Sequence, residues 1–340
     1  MIRTTTGNAR TSARSFSFLV NPTSGGGAAP GAVVPVARLL REAGARVEVT
    51  YSPGPDAMAA LVTEAVGRGD VVVAVGGDGM LSSVAGLVAS ADGSLGILPA
   101  GRGNDFARAL GVPGHVEDRA RLLLEGLVRR IDLLALTLPG ALSPALSPAL
   151  SPALSPARPR LVAGSVYAGV DARAAEIVDA SRRVPRRLQY PLAALRALAT
   201  YRPARYRLVV DGVAREVDAA TVVVANSACY GQGMRIAPDA RVDDGRLDVV
   251  VIEAASRLAL MRSLPKVYDG SHVDLPEVTV LTGHRVELSA DCRVRSGAGA
   301  GAPRPAVPLG GDGEPLGTLP ALDADPAVIE LLPAALAAIC

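Results

Sequence analysis

The sequence has little that points to an extracellular, membrane-spanning or nucleic-acid-binding protein. Its three cysteines, Cys229, Cys292 and Cys340, are far apart and odd in number, which favours a reducing cytoplasm over a disulfide framework or a zinc site. No run reaches the roughly 18 apolar residues of a membrane span, and residues 1–10 lack the apolar centre of a signal peptide. The net charge of +2 is not that of a nucleic-acid-binding surface, so we expect no nucleic acid partner.

The sequence also lacks the two commonest nucleotide-binding motifs. Lys266 is its one lysine, whereas a P-loop needs a lysine directly after its last glycine. The G-x-G-x-x-G fingerprint of dinucleotide-binding folds is absent from the glycine-rich turn at 76–79. Any bound nucleotide would therefore be held by backbone amides, arginine side chains and a metal ion.

What is present in the first 134 residues is an alternation of apolar runs and amphipathic stretches. Strands are predicted at 16–21, 45–51, 71–75 and 95–98, with helices between them at 32–44, at 56–68 and after the glycine turn. Pro35 indicates that the first helix starts near that residue. This order predicts a parallel α/β sheet, whose ligand site would lie at the carboxyl ends of the strands.

Beyond residue 135 the pattern changes to short strand-like runs separated by turn signals, which predicts an all-β region. The runs lie at 161–168, 205–211, 220–226, 246–252, 278–281 and 284–289. One helical stretch, around 187–200, interrupts them. The last segment, 326–340, is predicted to pack on the first domain as a closing strand or helix.

Two low-complexity segments are predicted to be flexible insertions. Residues 141–156 repeat Ala-Leu-Ser-Pro four times, and a proline at every fourth position is incompatible with a helix. The insertion around this repeat spans 140–159. A second insertion, rich in glycine, alanine and proline, spans 296–308.

The turn Gly76-Gly77-Asp78-Gly79 joins the third strand to the helix that begins near Met80. Glycines let the backbone approach a ligand closely, and the start of a helix offers unpaired N–H groups to a phosphate. Three roles stay open for Asp78: coordinating or orienting a hydrated Mg²⁺, ordering the loop, or merely capping the helix.

Two further glycine-bearing loops follow strands of the same predicted sheet. The segment NPTSGGG at 21–27 follows the first strand, and the segment at 99–108 follows the fourth. Because the carboxyl ends of parallel strands share one edge of a sheet, we expect the three loops to meet there. The sequence therefore predicts a phosphate-binding crevice.

These motifs resemble those of the soluble diacylglycerol kinase and sphingosine kinase family of lipid kinases, especially its bacterial members. The matching segments occur in the family's order and cover nearly all of the chain outside the two insertions. They are NPTSGGG at 21–27, GGDG at 76–79, GILPAGRGNDFARALGVP at 96–113, ANSACYGQGMRIAPDARVDDGRLDVVVI at 225–252 and GGDGEPLG at 310–317.

The resemblance implies an α/β plus all-β protein of two domains. The first, at 15–134 and completed by about 326–340, would be a nucleotide-binding catalytic domain related to phosphofructokinase and NAD kinase. The second, at 135–325, would be a β-sandwich that binds lipid. The implied reaction moves the γ-phosphoryl group of ATP to a lipid hydroxyl with Mg²⁺ as cofactor, and diacylglycerol is the favoured acceptor.

The resemblance also implies site residues. The ATP-binding set is Asn21, Pro22, Thr23, Ser24, Gly25, Thr50, Gly76, Gly77, Asp78, Gly79, Met80, Arg102, Gly103 and Asn104. In the turn at 241–246, Mg²⁺ would be held by the Asp244 carboxylate and the backbone carbonyls of Arg241 and Arg246. Without the resemblance, that turn is an ordinary Asp-Gly hairpin.

The implied catalytic residues are Glu314, Asp312 and Asp78. Glu314 is the favoured general base, and Asp312 would be oriented through Mg²⁺ or water. Without the resemblance, the triplet Asp312-Gly313-Glu314 is also compatible with a plain surface turn.

The chain departs from the family's pattern at three places. The family usually has threonine at the positions of Met80 and Arg102, and Asn-Glu at Ser82-Ser83. We interpret these changes as a coordinated variant in which Arg102 replaces the lost phosphate contacts, because the glycine turns and Asn104-Asp105 are intact.

Two alternatives stay open at this point. NAD kinase shares the GGDG turn, but it should also carry an Asn-Glu pair, and this chain contains no such dipeptide. An inactive nucleotide- or lipid-binding protein is disfavoured by the retention of Asp78, Asp244 and the triplet at 312–314.

Contact with a membrane is predicted from the basic cluster RRVPRR at 182–187, which precedes an apolar helix. Such a cluster suits anionic headgroups, although a solvated loop has the same composition. We therefore expect a cytoplasmic protein that contacts the inner face of the membrane transiently. The resemblance also allows a homodimer.

Overall fold

The computed structural model describes most of the chain. The described residues are 14–52, 54–101, 103–139, 159–180, 186–200, 202–292 and 306–340. Arg102, residues 182–185 of the basic cluster and most of both predicted insertions, 140–159 and 296–308, lie outside them. What was predicted for those residues therefore stays a prediction.

The first part of the chain folds into a parallel sheet with helices on both faces. Its elements are β1 (Ser15–Val20), α1 (Ala29–Glu42), β2 (Arg46–Tyr51), α2 (Pro55–Gly67), β3 (Val71–Gly76), α3 (Asp78–Ser90), β4 (Ser94–Pro99), α4 (Asp105–Ala109) and α5 (Val116–Glu125). The spatial order is β4-β3-β1-β2, and each neighbouring pair is parallel. The predicted α/β sheet is confirmed, with every predicted strand boundary within one residue of the observed one.

The predicted start of the first helix was wrong. Helix α1 begins at Ala29 with Pro30 in its first turn, where the N–H that proline lacks would have no helical partner anyway. Pro35 lies inside the helix. The bond that it cannot donate would go to the carbonyl of Gly31, which is an exposed residue.

Side chains of β1 alternate between two apolar clusters, one on each face of the sheet. Phe16 and Phe18 pack with residues of α1 and α5, whereas Leu19 packs with residues of α2 and α3. Burial on both faces explains why the strands are apolar throughout. It leaves the carboxyl-terminal edge of the sheet as the accessible part of this region.

The second part of the chain is built from antiparallel strands around a separate apolar cluster. The strands are β5 (Val128–Thr137), β6 (Arg160–Val162), β7 (Ser165–Gly169), β8 (Ala204–Val210), β9 (Val213–Ala225), β10 (Leu247–Glu253), β11 (Val278–Gly283), β12 (Arg285–Cys292), β13 (Pro308–Gly311) and β14 (Glu314–Thr318). Strand β9 lies at the centre, because it pairs with β7, β8 and β10.

Two predictions for this part need correction. The run at 161–168 is two strands, β6 and β7, separated at Ala163 and Gly164, where the backbone amides point to Asp312. The described residues of this region also include three α-helices rather than one. They are α6 (Val170–Ala180), α7 (Arg186–Ala199), which was predicted, and α8 (Arg257–Asp269).

The last strand, β15 (Ala327–Ile339), joins the two parts into one hydrogen-bonded sheet. It pairs in parallel with β4 through Ala337 and Ala338, and it pairs antiparallel with β5 and β12. The predicted return of the chain to the first part is confirmed, and the element is a strand. The proposed boundary at residues 134 and 135 falls inside β5.

In the described ranges of the chain, no helix combines the length and the apolar character that crossing a bilayer requires.

Candidate active site

The three glycine loops lie against one another at the carboxyl ends of β1, β3 and β4. Gly25 has a left-handed φ of 63°, and a Cβ on it would collide with the carbonyl oxygen of Ala100. A Cβ on Gly77 would lie 3.2 Å from the Cα of Gly101. Only residues without side chains allow backbones to approach this closely, so the glycines account for the contact between the loops.

The first loop is closed by its own asparagine. The Oδ1 of Asn21 accepts hydrogen bonds from the backbone N–H of Thr23 at 3.1 Å and from its hydroxyl at 2.8 Å. The N–H of Asn21 donates to the carbonyl of Val75 at 3.2 Å, which ties this loop to β3. Pro22 and Thr23 are exposed, whereas Ser24 is partly buried and faces Gly76.

The third loop is closed by Asn104, which has a left-handed φ of 55°. Its Oδ1 accepts from the N–H of Gly101 at 2.8 Å. The preceding residue, Gly103, lies between two acidic side chains. A Cβ there would be 2.8 Å from the Oδ2 of Asp78 and 2.9 Å from that of Asp105. Gly103 therefore leaves space on which two carboxylates converge.

Asp78 is the first residue of α3 and one of these two acids. Its Oδ1 accepts from the N–H of Phe106 at 3.2 Å. Burial, and then the neighbouring charges of Asp105 and Asp312, raise the pKa of Asp78 to about 7, although the N–H of Phe106 opposes the shift. A carboxylate with so much uncompensated negative charge around it is a good partner for a divalent cation.

Asp105 connects this region to the segment at 225–252. Its Oδ2 accepts from the N–H of Gln232 at 2.8 Å, and its other oxygen pairs with Arg108. Gln232 has a left-handed φ of 71°. The conformation of that distant loop is therefore fixed by an acid of the glycine-loop region.

Asp312 lies in the turn between β13 and β14 and is fixed by backbone amides. Its two oxygens accept from the N–H groups of Ala163 at 2.8 Å, Gly164 at 3.0 Å and Ser165 at 2.9 Å. Burial raises the pKa of Asp312, and its hydrogen bonds oppose the shift. The following residue, Gly313, donates its N–H to the hydroxyl of Tyr167 at 3.0 Å.

Glu314 projects from the same turn onto the glycine turn of the first part. A Cβ on Gly79 would overlap its Oε1 and would lie 2.7 Å from its Cδ. The other carboxylate oxygen of Glu314 accepts from Arg160 at 3.2 Å. About half of the Glu314 side chain, 49%, is exposed, so a substrate can reach it.

In the sequence, Ser82 stood out only as a departure from the family pattern, and its structural role was not predicted. It is buried, and its Oγ accepts from the N–H of Ala163 at 3.1 Å. It also hydrogen-bonds Asp312. Ser82 thus connects α3 to the turn that carries Glu314, and Met80 packs beside it against Gly76 and an apolar cluster.

Thr50 is less closely associated with these loops. It lies in the edge strand β2, level with Leu19 of β1 and therefore two positions before Asn21. No hydrogen bond connects the Thr50 side chain to the three loops among the described residues.

The turn at 241–246 is positioned by β5 and β15. The buried Asp132 accepts from the N–H of Gly245 at 2.9 Å and from that of Ala334 at 2.7 Å. Asp244 accepts from the N–H of Arg246 at 3.1 Å. Burial, together with the charges of Asp244 and Asp239, raises the pKa of Asp248 to about 6. The concentrated negative charge suits a bound cation.

The side chains at this turn cannot complete a metal site alone. In the part of the chain that the structure describes, no three His, Cys, Asp or Glu side chains are grouped as metal ligands. A Mg²⁺ at Asp244 would therefore need backbone carbonyls, as the predicted set with Arg241 and Arg246 supplies.

An apolar cavity, partly open to solvent, lies under α6, α7 and α8. Among its lining residues are Leu198, Leu260 and Tyr230. At its polar end, the hydroxyl of Thr221 lies 2.7 Å from the Oδ2 of Asp171, whose pKa is raised by burial.

An aromatic pair connects this cavity to the turn between β13 and β14. The rings of Tyr230 and Tyr167 have centroids 5.3 Å apart, and the hydroxyl of Tyr167 holds Gly313. The cavity and the turn that carries Glu314 therefore share one packed wall.

Comparison with protein families fits this arrangement. Residues 15–136 match the model of the diacylglycerol kinase catalytic domain, and residues 164–340 match that of the YegS C-terminal NAD kinase beta sandwich-like domain. The chain belongs to the diacylglycerol kinase family of lipid kinases. Membership confirms the resemblance drawn from the motifs and identifies the protein as an ATP-dependent lipid kinase.

Individual relatives agree with this family. The chain is 32% identical over 319 residues to a diacylglycerol kinase of Mycobacterium tuberculosis (strain ATCC 25618 / H37Rv), covering 92% of this chain and 93% of the relative. It is 24% identical over 204 residues to a diacylglycerol kinase of Bacillus subtilis (strain 168), covering 58% of each. The relatives' names therefore favour a lipid kinase over the NAD kinase alternative.

A solved structure shows the same fold. The crystal structure of a diacylglycerol kinase from Bacillus anthracis str. Sterne superimposes with a TM-score of 0.65 at 18% identity, covering 97% of this chain and 98% of that one. The fold of a lipid kinase of this family is thereby present over nearly the whole chain.

Proposed function

We propose that this lipid kinase phosphorylates diacylglycerol to phosphatidic acid, with Glu314 as the general base. The observation that carries the proposal is the position of the Glu314 carboxylate directly over Gly79, at the start of α3. Phosphate oxygens are stabilised at such a helix start by backbone N–H groups. A base and a phosphate site are therefore adjacent.

In the proposed step, the lipid hydroxyl oxygen forms a bond to the γ-phosphorus of ATP while the bond to the β-phosphate oxygen breaks. Glu314 accepts the hydroxyl proton as the nucleophile attacks. Arg160 donates to the other carboxylate oxygen and so helps to hold the Glu314 carboxylate over the glycine turn. Asp312 does not take this proton in the proposal, because three backbone N–H groups occupy its oxygens.

The phosphates of ATP would be bound by the amides of the three glycine loops, with Asn21 and Asn104 holding two of those loops in shape. Asp78, with Asp105 beside it, would hold a Mg²⁺ that offsets phosphate charge when bound. A second Mg²⁺ at Asp244 would stabilise the turn at 241–246. ATP and Mg²⁺ thus remain the proposed cofactors on the grounds of the acidic cluster and the family.

The acyl chains of the lipid would occupy the apolar cavity under α6, α7 and α8. Its apolar lining suits hydrocarbon, and Asp171 with Thr221 would meet a polar group of the lipid. The proposed substrate is a membrane lipid, so the enzyme would act transiently at the inner face of the membrane from the cytoplasm. The homodimer stays a prediction.

The test is phosphorylation by radiolabelled ATP and Mg²⁺ with separate samples of diacylglycerol, ceramide, sphingosine and NAD. We expect label in diacylglycerol and its loss in the Glu314→Gln variant. Label confined to ceramide or sphingosine would show that this lipid, and not diacylglycerol, is the acceptor. Label confined to NAD, or none in any acceptor, would overturn the proposal.

A further inference from the structure

Helices α7 and α8 carry exposed leucines on the side that faces away from the cavity. Leu192 and Leu195 of α7 are 48% and 45% exposed, and Leu258 of α8 is 56% exposed. The opposite sides of both helices are buried, with Leu198 and Leu260 lining the apolar cavity. The two helices, which contact each other, therefore carry large apolar side chains on their outer as well as their inner sides.

Each of the two helices carries an exposed arginine beside an exposed leucine. Arg196 lies one turn from Leu192 on the outer side of α7, and Arg262 lies one turn from Leu258 on α8. In the described part of the chain, neither arginine has a carboxylate within ion-pair distance. The sequence between Asp179 and Asp211 contains eight arginines and no acidic residue, in a chain whose net charge is only +2.

We infer that the outer sides of α7 and α8 form a docking surface for a bilayer that contains anionic phospholipids. Exposed leucines flanked by arginines match the interfacial region of such a membrane, where apolar side chains enter the acyl boundary and cations meet headgroups. The occupant is a bilayer rather than a protein because hydrocarbon-binding space lies directly behind the same two helices. A lipid leaving the membrane here would have the shortest route to the cavity.

The biological role of this docking surface rests on the proposed function. Its binding to membranes can be tested without catalysis. The full chain is sedimented with vesicles of phosphatidylcholine alone and with vesicles that contain about 30% phosphatidylglycerol. We expect binding to the anionic vesicles only, weakened by high salt. The double variant Arg196→Gln/Arg262→Gln should bind about 25-fold more weakly, at about five-fold per charge.

The apolar contribution is tested by Leu192→Glu/Leu258→Glu, with Leu127→Glu as the matched control. Leu127 is 74% exposed and lies before β5, away from both helices. We expect the double variant to lose vesicle binding at least about ten-fold and the control to bind as the wild type does. All variants should keep wild-type circular dichroism and wild-type turnover of a short-chain diacylglycerol dispersed without vesicles.

The outcomes separate the two proposals. If the double variants bind vesicles as well as the wild type, or if Leu127→Glu binds as weakly as they do, the docking surface is wrong whatever the kinase assay shows. If the leucine variants convert a dimer to a monomer in analytical ultracentrifugation, the face is an interface between two copies, which also overturns the inference. If the wild type phosphorylates no lipid, the proposed function fails, and selective loss of vesicle binding still supports the surface.

Discussion

The carboxylate of Glu314 occupies the space that a side chain on Gly79 would need. The two residues belong to different parts of the fold, and their contact brings the candidate base to the first turn of α3. The glycine is therefore required at this position by a neighbour from the far end of the sequence, and not by a special backbone angle.

Gly79→Ala should reduce turnover without unfolding the protein. The added methyl group displaces the Glu314 carboxylate, and a shift of this size costs about 100-fold in rate. Stability should change little, because alanine favours a helix over glycine by about 1 kcal/mol. Steady-state kinetics and urea unfolding measure both effects. Gly31→Ala, in α1 with open space around it, is the control, and equal turnover of the two variants would contradict the prediction.

Glu314→Gln should lower kcat by about 10²- to 10⁴-fold, because glutamine cannot accept the hydroxyl proton. The melting temperature should stay at the wild-type value, since the side chain is half exposed and held by one ion pair. Glu330→Gln is the matched control, because Glu330 is also paired with an arginine and is similarly exposed, 48%. Retention of wild-type kcat in Glu314→Gln would rule out the assigned base.

Asp312→Asn should cost both stability and activity, unlike the substitution at Glu314. Asparagine presents an NH₂ group to backbone N–H donors that now face a carboxylate oxygen, which leaves partly buried donors unpaired at about 2–3 kcal/mol. Urea unfolding measures the loss, with Asp323→Asn on an exposed loop as the reference. An unchanged free energy of unfolding would show that these hydrogen bonds do not position the turn.

Asp78→Asn should stabilise the protein in a pH-dependent way. The pKa of Asp78 is about 7 in the folded protein against an ordinary 3.8, so the folded state disfavours its charged form. The free-energy cost of keeping a charged Asp78 in the folded protein is absent near pH 4. It grows as the pH rises to 7 and is complete above that pH. Without Mg²⁺ or ATP, the gain in unfolding free energy over wild type should be on the order of 3 kcal/mol larger at pH 8 than at pH 4. A difference that does not vary between these pH values would contradict the prediction.

Met80→Thr should leave the affinity for ATP within about two-fold of wild type, since Arg102 is predicted to replace the missing hydroxyl. The free energy of unfolding should fall by about 1–2 kcal/mol, because the Met80 side chain fills space against Gly76 and packs on an apolar cluster. Calorimetric titration with ATP and urea unfolding test the two parts. Met261→Thr, at another partly buried methionine, is the control. Tenfold tighter ATP binding would show that Met80 weakens the site.

Local patterns in the sequence were enough to predict the parallel sheet and its three glycine loops. Each strand there is a continuous apolar run, and each loop follows directly from the strand before it. The contacts of Gly25 with Ala100 and of Gly77 with Gly101 follow from topology once the strands are parallel. Helix α8 could also have been found, since Ser256 caps its start and Gly270 its end.

The partners of Asp312 could not have been predicted in this way. The amides of Ala163, Gly164 and Ser165 bind it across the sheet, and no periodicity marks a backbone amide as a ligand. Ser82 looked like the loss of a family residue, whereas the structure gives it a hydrogen bond to Ala163. Contacts of this kind depend on tertiary packing, which one sequence does not encode locally.

The position of β15 has a consequence for how the protein is made. Strand β4 obtains its outer neighbour from Ala337 and Ala338 of β15, so the ribosome must synthesise the chain through β15 before the nucleotide-binding sheet can close. Until then, β4 presents an unpaired edge to the cell. The two halves of this kinase are therefore not successive folding units during translation. A fusion or truncation that disturbs β15 would impair ATP binding as well as lipid binding.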